Sequence, residues 1–330
     1  MVRCTQLSDG AIGKECGVRV LVTGGAGFIG SQVVRELLAR GAEVVVLDLL
    51  TYAGRRWHLA GLECDLHVGD VADPVAVRDA MRGCDAVMHL AAESHVSRSL
   101  ADAAPFFRTN VEGTRVVLEV ALELGVDRVL HMSTDEVFGA AQDGRFSGLD
   151  APFRPGNPYA ASKVAAEALV MAWQHSYGSS AAIVRCTNNY GPRQHPEKAI
   201  PCWTLAALAG GPVPVHGRGT PRRDWLHVED CARGLVQILE CWVPRAHWHL
   251  AGGDVRVNRD VARAVGALCG VDQLVFGPDR PGQDRVYLLD DSHTRRRLDW
   301  APRVDFADGL ASTVAWFRRH QAAVWRGDDG

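Results

Sequence analysis

Six short apolar runs, rich in β-branched residues, mark the first 190 positions: 18–23, 44–47, 66–68, 86–89, 129–132 and 181–184. Runs this short and this continuously apolar fit strands covered on both faces. Between them the period changes. After the first run Phe28, Ile29, Val33, Leu37 and Leu38 recur at helical spacing until Gly41. Residues 74–81 follow Asp73 and open on a proline, an N-cap and first-turn pair. Phe107, Val111, Leu118 and Leu122 mark one face of a helix between Pro105 and Gly125, and a further helix runs over 158–177. Strands alternating with helices predict an α/β fold with a doubly wound parallel sheet and right-handed crossovers.

Beyond Gly191 the alternation breaks at Gly210-Gly211-Pro212, Pro214, 217–221 and 277–282. This texture predicts a smaller C-terminal α/β lobe. Residues 228–239 and 248–251 have the pattern of a helix and a strand returning to the main sheet. The expected organisation is a tail at 1–17, a sheet domain at 18–190 with 225–251 returning to it, and a substrate-binding lobe over most of 191–330.

Composition narrows the function classes. The 36 basic and 39 acidic residues leave a net charge of −3, with no global field for nucleic acid or an anionic membrane. Any bound anion must meet a local site. The 9 cysteines form no C-x-x-C pair, so scattered reduced thiols and no metal site are expected. Residues 1–17 mix charge and glycine where a signal peptide needs an apolar core, and no apolar run approaches the ~20 residues that cross a bilayer. A cytoplasmic protein is the simplest expectation.

The first turn carries candidate chemistry. Gly24, Gly27 and Gly30 lie between the first strand and first helix, flanking Phe28 and Ile29, in a G-x-x-G-x-x-G frame. Glycines let the backbone approach a pyrophosphate, and the helix N-terminus behind them supplies free N–H groups. Asp48, closing the second strand, suits the adenosine ribose hydroxyls and disfavours a 2′-phosphate. NAD is therefore the expected cofactor and the main domain a Rossmann domain, with Arg55 and Arg56 slightly weakening the preference over NADP. Asp70 and Val71 follow the third strand, where the aspartate can meet adenine or equally well close a turn. Tyr159 and Lys163 share a helix face, and an ammonium beside a phenol is expected to lower the phenol pKa. Ser133 and Thr134 end the fifth strand, the edge that faces a ligand crevice. Asp135 and Glu136 follow directly. Two carboxyl groups in one site can split in pKa into an acid and a base, which removal of water requires and hydride transfer alone does not.

Thr134, Tyr159 and Lys163 resemble the catalytic set of the extended short-chain dehydrogenase/reductases. From residue 18 to about 310 the chain more closely resembles the dTDP-glucose 4,6-dehydratases of deoxysugar biosynthesis. The resemblance rests on TGGAGFIGS at 23–31, LDLLTYAG at 47–54, HLAAESHVSRS at 89–99 and STDEVFG at 133–139. PYAASK at 158–163, NNYGPRQHPEKAIP at 188–201, RDWLHVED at 223–230 and DRPGQDR at 279–285 extend it. It implies an NAD-dependent hydro-lyase that oxidises C4 of a nucleoside-diphospho-glucose, eliminates water across C5 and C6 and reduces C6. Tyr159 is then the base at the 4-hydroxyl, with Thr134 bonded to that oxygen and Lys163 on the nicotinamide ribose; Glu136 takes the C5 proton and Asp135 protonates the leaving 6-hydroxyl. Substrate contacts map onto Ser94, His95, Asn188, Lys198, Arg223, Asn258, Arg280 and Gln283, and His89 has no catalytic role. Read without the family, Arg223 and Asp224 could instead be an ion pair, and Lys198 a solvated helix residue. Ser97, Phe138 and Gln283 depart from the usual pattern, and Gln283 bears on nucleotide preference. The helices at 105–124 and 158–177 imply a homodimer. A nucleotide-sugar 4-epimerase or decarboxylase, and a silent nucleotide-binding regulator, are the alternatives.

Overall fold

The computed structural model describes residues 17–141, 144–279, 282 and 284–326. Strand β1 (Arg19–Thr23) runs through the glycine loop into α1 (Phe28–Ala39), followed by β2 (Glu43–Asp48), β3 (Asp65–Val68), α2 (Pro74–Met81) and β4 (Ala86–His89). Next come α3 (Val96–Ala101), α4 (Ala104–Phe106), a π-helical segment (Phe107–Glu112), α5 (Gly113–Leu124), β5 (Arg128–Thr134) and a 3-10 turn (Asp135–Phe138). The chain continues through α6 (Pro158–Ser176), β6 (Ala182–Cys186), β7 (Asn188–Tyr190), α7 (Ala199–Leu208), β8 (Val213–His216), β9 (Arg222–His227), α8 (Val228–Glu240) and β10 (His247–Leu250). It closes with β11 (Val255–Val257), α9 (Asn258–Cys269), β12 (Leu274–Gly277), α10 (Ser292–Leu298) and α11 (Phe306–Arg326).

Seven strands form one sheet in the order β10-β6-β5-β4-β1-β2-β3, every pair parallel. Neighbouring side chains on β1 feed opposite cores. Val20 and Val22 pack with α1 and α8, whereas Leu21 packs on the side of α2, α5 and α6. Both faces are dry, which is why these strands read as continuous apolar runs. Strand order reverses between β1 and β4, so the loops at their carboxyl ends diverge and leave a crevice.

The smaller lobe holds a three-stranded sheet, β11-β9-β7, and a two-stranded one, β12-β8. Its core joins Tyr190, Trp203, Trp225, Val265 and Phe306. Strand β10 returns to the main sheet beside β6, with α8 packed beneath, while residues 225–227 lie in the three-stranded sheet.

Two sequence expectations change. The helix expected over 105–124 is interrupted by the π segment, which shifts the register of the buried face. Leu118 is buried while Phe107 and Leu122 are exposed. Cysteines 64, 84, 186, 231 and 269 carry free thiols, but Cys241 is disulfide-bonded, correcting the expectation of reduced thiols throughout. No described helix is long and apolar enough to cross a membrane.

A Cβ placed on Gly30 would stand 2.0 Å from the carbonyl oxygen of Gly24. Gly30→Ala is therefore expected to lower unfolding free energy by about 1–3 kcal/mol, the cost of overpacking. Calorimetry checks this; an unchanged Tm would mean that the loop spreads freely.

Candidate active site

The crevice at the sheet edge is one cavity lined from the glycine loop to the ends of β5 and β6. At its adenosine end Gly24 holds φ +71°, and a Cβ there would lie 2.8 Å from the Ala91 backbone. The loop can thus pass close under a ligand, and α1 presents its N-terminus with no side-chain cap. Asp48 lines the cavity and accepts hydrogen bonds from the Ala26 and Leu50 amides at 2.9 and 2.8 Å. Burial raises its carboxyl while those two bonds oppose the rise. Asp70 and Val71 also reach the cavity. Asp70 closes its own turn through the Ala72 amide and pairs with Arg108 at 2.7 Å. A cradle that any Cβ would fill, followed by a carboxylate, fits a dinucleotide such as NAD.

At the other end β5 delivers Thr134 to the cavity. Its hydroxyl donates to Asp135 Oδ1 at 3.1 Å and accepts from the Glu136 amide at 3.2 Å, capping the 3-10 turn. Asp135 is buried, and its Oδ2 has no partner. Burial, with the neighbouring Glu136 charge, pushes the Asp135 carboxyl up to about 8. Desolvation also raises the half-buried Glu136, against a hydrogen bond from Asn157 Nδ2 at 3.0 Å. The two carboxyl groups therefore sit beside each other with enhanced proton affinity.

Tyr159 and Lys163 project from the first turns of α6. Lys163 Nζ donates to the Met132 carbonyl at 2.7 Å, and burial lowers its ammonium to about 8. The Tyr159 phenol is raised, chiefly by burial and then by the Glu136 charge, with a Thr134 hydrogen bond opposing. This corrects the expected lowering by Lys163: a dry setting and the facing carboxylates set the shift.

The substrate set divides. Ser94, Asn188 and Lys198 line the cavity, and Lys198 Nζ donates to the Ser94 carbonyl at 2.9 Å. His95 is not on that wall; it caps α3 by accepting from the Arg98 amide. Arg223 lies behind it, donating to the carbonyls of Arg222 and Asp284, and its charge lowers the proton affinity of Asp135 and Glu136. It forms no described ion pair with Asp224, whose Oδ1 accepts instead from the Asp254 amide. Asn258 opens α9 away from the described wall, its side-chain oxygen buried without a partner. Arg280 and Gln283 lie outside the described residues. His89 is buried between the Thr23 and Thr114 hydroxyls, and burial depresses its imidazole to about 3.

Sequence reasoning missed Asn157. Its side-chain oxygen caps α6 by accepting from the Ala160 amide while its nitrogen holds Glu136, so one residue ties the catalytic helix to the acid turn. Asparagine before proline at a helix start was the available signal. Glu93 and Glu197 on the cavity rim were missed as well; they are joined through Tyr52, whose hydroxyl donates to Glu93, and Arg98, which lies over the Tyr52 ring and donates to Glu197.

Residues 20–249 match the model of the NAD dependent epimerase/dehydratase family. A dTDP-glucose 4,6-dehydratase of Streptomyces niveus is 44% identical over 318 residues, covering 92% of this chain and 94% of that protein. The crystal structure of DesIV, a dTDP-glucose 4,6-dehydratase from Streptomyces venezuelae with NAD and TYD bound, is 42% identical with a TM-score of 0.89, covering 93% of this chain and 98% of that one. A UDP-glucose 4-epimerase of Thermus thermophilus complexed with NAD is 34% identical, with a TM-score of 0.85 over 91% of this chain and 99% of its own. On sequence, fold and cradle together, the chain belongs to the NAD-dependent epimerase/dehydratase family.

Proposed function

We propose that the protein is an NAD-dependent dTDP-glucose 4,6-dehydratase that supplies a 4-keto-6-deoxy sugar nucleotide for deoxysugar biosynthesis. The observation that carries this reading is the Asp135–Glu136 pair, set directly after Thr134 and facing the same cavity as Tyr159 and Lys163. A 4-epimerase has no elimination for such a pair to perform.

When bound, NAD would supply the acceptor for the C4 hydride and the donor that reduces C6. Tyr159 takes the proton of the 4-hydroxyl, and the Thr134 hydroxyl, lining the same cavity, shares that oxygen. Lys163, on the cavity wall, would hold the nicotinamide ribose. The C4 ketone acidifies the C5 proton, which Glu136 removes; its raised proton affinity makes it a stronger base than an ordinary carboxylate. Asp135, at about 8, holds its proton at neutral pH and gives it to the departing 6-hydroxyl. A neutral Asp135 also removes one of the charges that oppose ionisation of Tyr159. Asn188 and Lys198, with Ser94 beside them, hold the nucleotide diphosphate from the cavity wall, and Arg223 adds a positive charge near the carboxyl pair. Phe107 and Leu122, with Ala168 and Ala172 of α6, leave apolar surface exposed on the helices that would pair in a homodimer.

Glu136→Gln is expected to slow formation of the 4-keto-6-deoxy product by about 10²–10⁴-fold, the usual contribution of a general base. C4 oxidation should persist and reduced cofactor accumulate. Wild-type protein that yields no keto sugar from dTDP-, UDP- or other nucleotide-glucoses would overturn the reading.

The raised Asp135 carboxyl also links stability to pH. The fold favours its neutral form, so that stabilisation is complete below the unfolded pKa of about 4 and is lost as pH rises through about 8. Asp135→Asn should therefore raise Tm relative to wild type above pH 8 and leave this contribution unchanged below pH 4, as thermal scans across pH would detect. Sedimentation should give a dimer; a monomer at micromolar concentration would contradict the proposed helix pairing.

A further inference from the structure

Arg185, on β6, is 1% exposed, and Glu167, on α6, is fully buried. Their side chains meet through Nε to both carboxylate oxygens at 3.0 and 3.1 Å and through a terminal nitrogen to Oε2 at 2.6 Å. A buried ion pair survives desolvation only when the remaining donors are also met. The other terminal nitrogen donates to the Leu149 carbonyl and to His249 Nε2, each at 3.2 Å. Because arginine can only donate, His249 Nε2 accepts, which leaves its Nδ1–H to donate to the Asp290 carbonyl at 3.0 Å. The guanidinium also lies 4.8 Å from the centre of the Phe138 ring and 5.7 Å from that of Phe153, two rings stacked on each other.

This placement joins the two halves of the proposed chemistry. Glu167 stands one helical turn beyond Lys163 and two beyond Tyr159, on the same side of α6. Phe138 ends the 3-10 turn that carries Asp135 and Glu136. Arg185 itself pairs with Ser133 in the sheet, so its backbone is fixed beside the strand end that delivers Thr134. A cation with a rigid, fully bonded fork has little freedom to shift without leaving a charge unpaired.

We infer that Arg185, with Glu167 as its counter-ion, is a positioning residue: it holds the turn bearing Asp135 and Glu136 at a fixed separation from the Tyr159–Lys163 face of α6. The inference rests on the roles proposed above for those four residues. It touches neither sugar nor cofactor and acts only through the geometry of the groups that do.

Removing one partner alone leaves a buried charge and is expected to unfold the protein, so the test is the double variant Arg185→Met/Glu167→Met, which replaces both charges with apolar groups of similar length. In the holoenzyme the expected result is a fall in kcat of about a hundredfold with KM for dTDP-glucose unchanged, since misplacement by an ångström costs that much. Reduced cofactor should accumulate, because oxidation outpaces elimination. Hydrogen exchange supplies a readout independent of turnover: the amides of Glu136 and Gly139, bonded within the turn, should exchange at least about tenfold faster while those of β1 and β2 keep their protection. A folded double variant with unchanged kcat, or with unchanged exchange at the turn, overturns the inference. Should the wild-type enzyme dehydrate no nucleotide-glucose, the proposed function fails, and the exchange measurement alone decides whether Arg185 holds the turn.

Discussion

The site depends on a parallel sheet that is covered on both faces, because such a sheet leaves chiefly its strand ends open to a ligand. Side chains within the strands are committed to the two cores, alternating from Val20 to Leu21 to Val22. Polar and ionisable groups therefore gather where strands stop: Asp48 after β2, Thr134 after β5, and Cys186 with Thr187 after β6. Reversal of strand order between β1 and β4 opens the crevice between these ends. The glycine loop closes one side of it because no side chain fits between Gly30 and the Gly24 carbonyl.

Within that crevice the decisive quantity is dryness. Burial raises Asp135 to about 8 and lowers Lys163 to about 8, bringing an acid and a cation of very different intrinsic strength into the same range. Such convergence suits a reaction in which protons move among neighbouring groups at one pH. The same dryness raises the Tyr159 phenol, so its role as a base depends on the charge state of the carboxyl pair facing it. Hydrogen bonds from Thr134 and Asn157 hold that pair in place. Burial thus sets proton affinities, and local hydrogen bonds set geometry.

Groups separated in sequence have to be locked together for this to work. Asn157 spans the start of α6 and Glu136; Arg185 spans α6, β6 and the aromatic end of the acid turn. Arg98 and Tyr52 link rim loops that enter the cavity from opposite sides of the switch point. Each is a polar side chain with several partners, the kind of group that confers a single arrangement on a site when fully satisfied.

The apolar runs, the glycine spacing and the Thr134-Asp135-Glu136 and Tyr159–Lys163 groupings were legible in the chain because they depend on neighbours a few residues apart. Periodicity records which faces are buried, and a turn with positive φ or close backbone approach favours glycine wherever it is formed. Neither the π segment nor the exposure of Phe107 and Leu122 was legible, since helical spacing looks the same until packing selects a register. Nor was the pairing of Arg185 with Glu167, the withdrawal of His95 from the cavity into a helix cap, or the upward shift of Tyr159. These depend on distance and water exclusion between segments far apart in sequence. The sequence by itself determined the strand–turn–helix frame and the chemical types available at each strand end. Only the tertiary structure decided which of those groups meet, and how strongly each holds its proton, because burial and through-space charge exist only once the chain has folded.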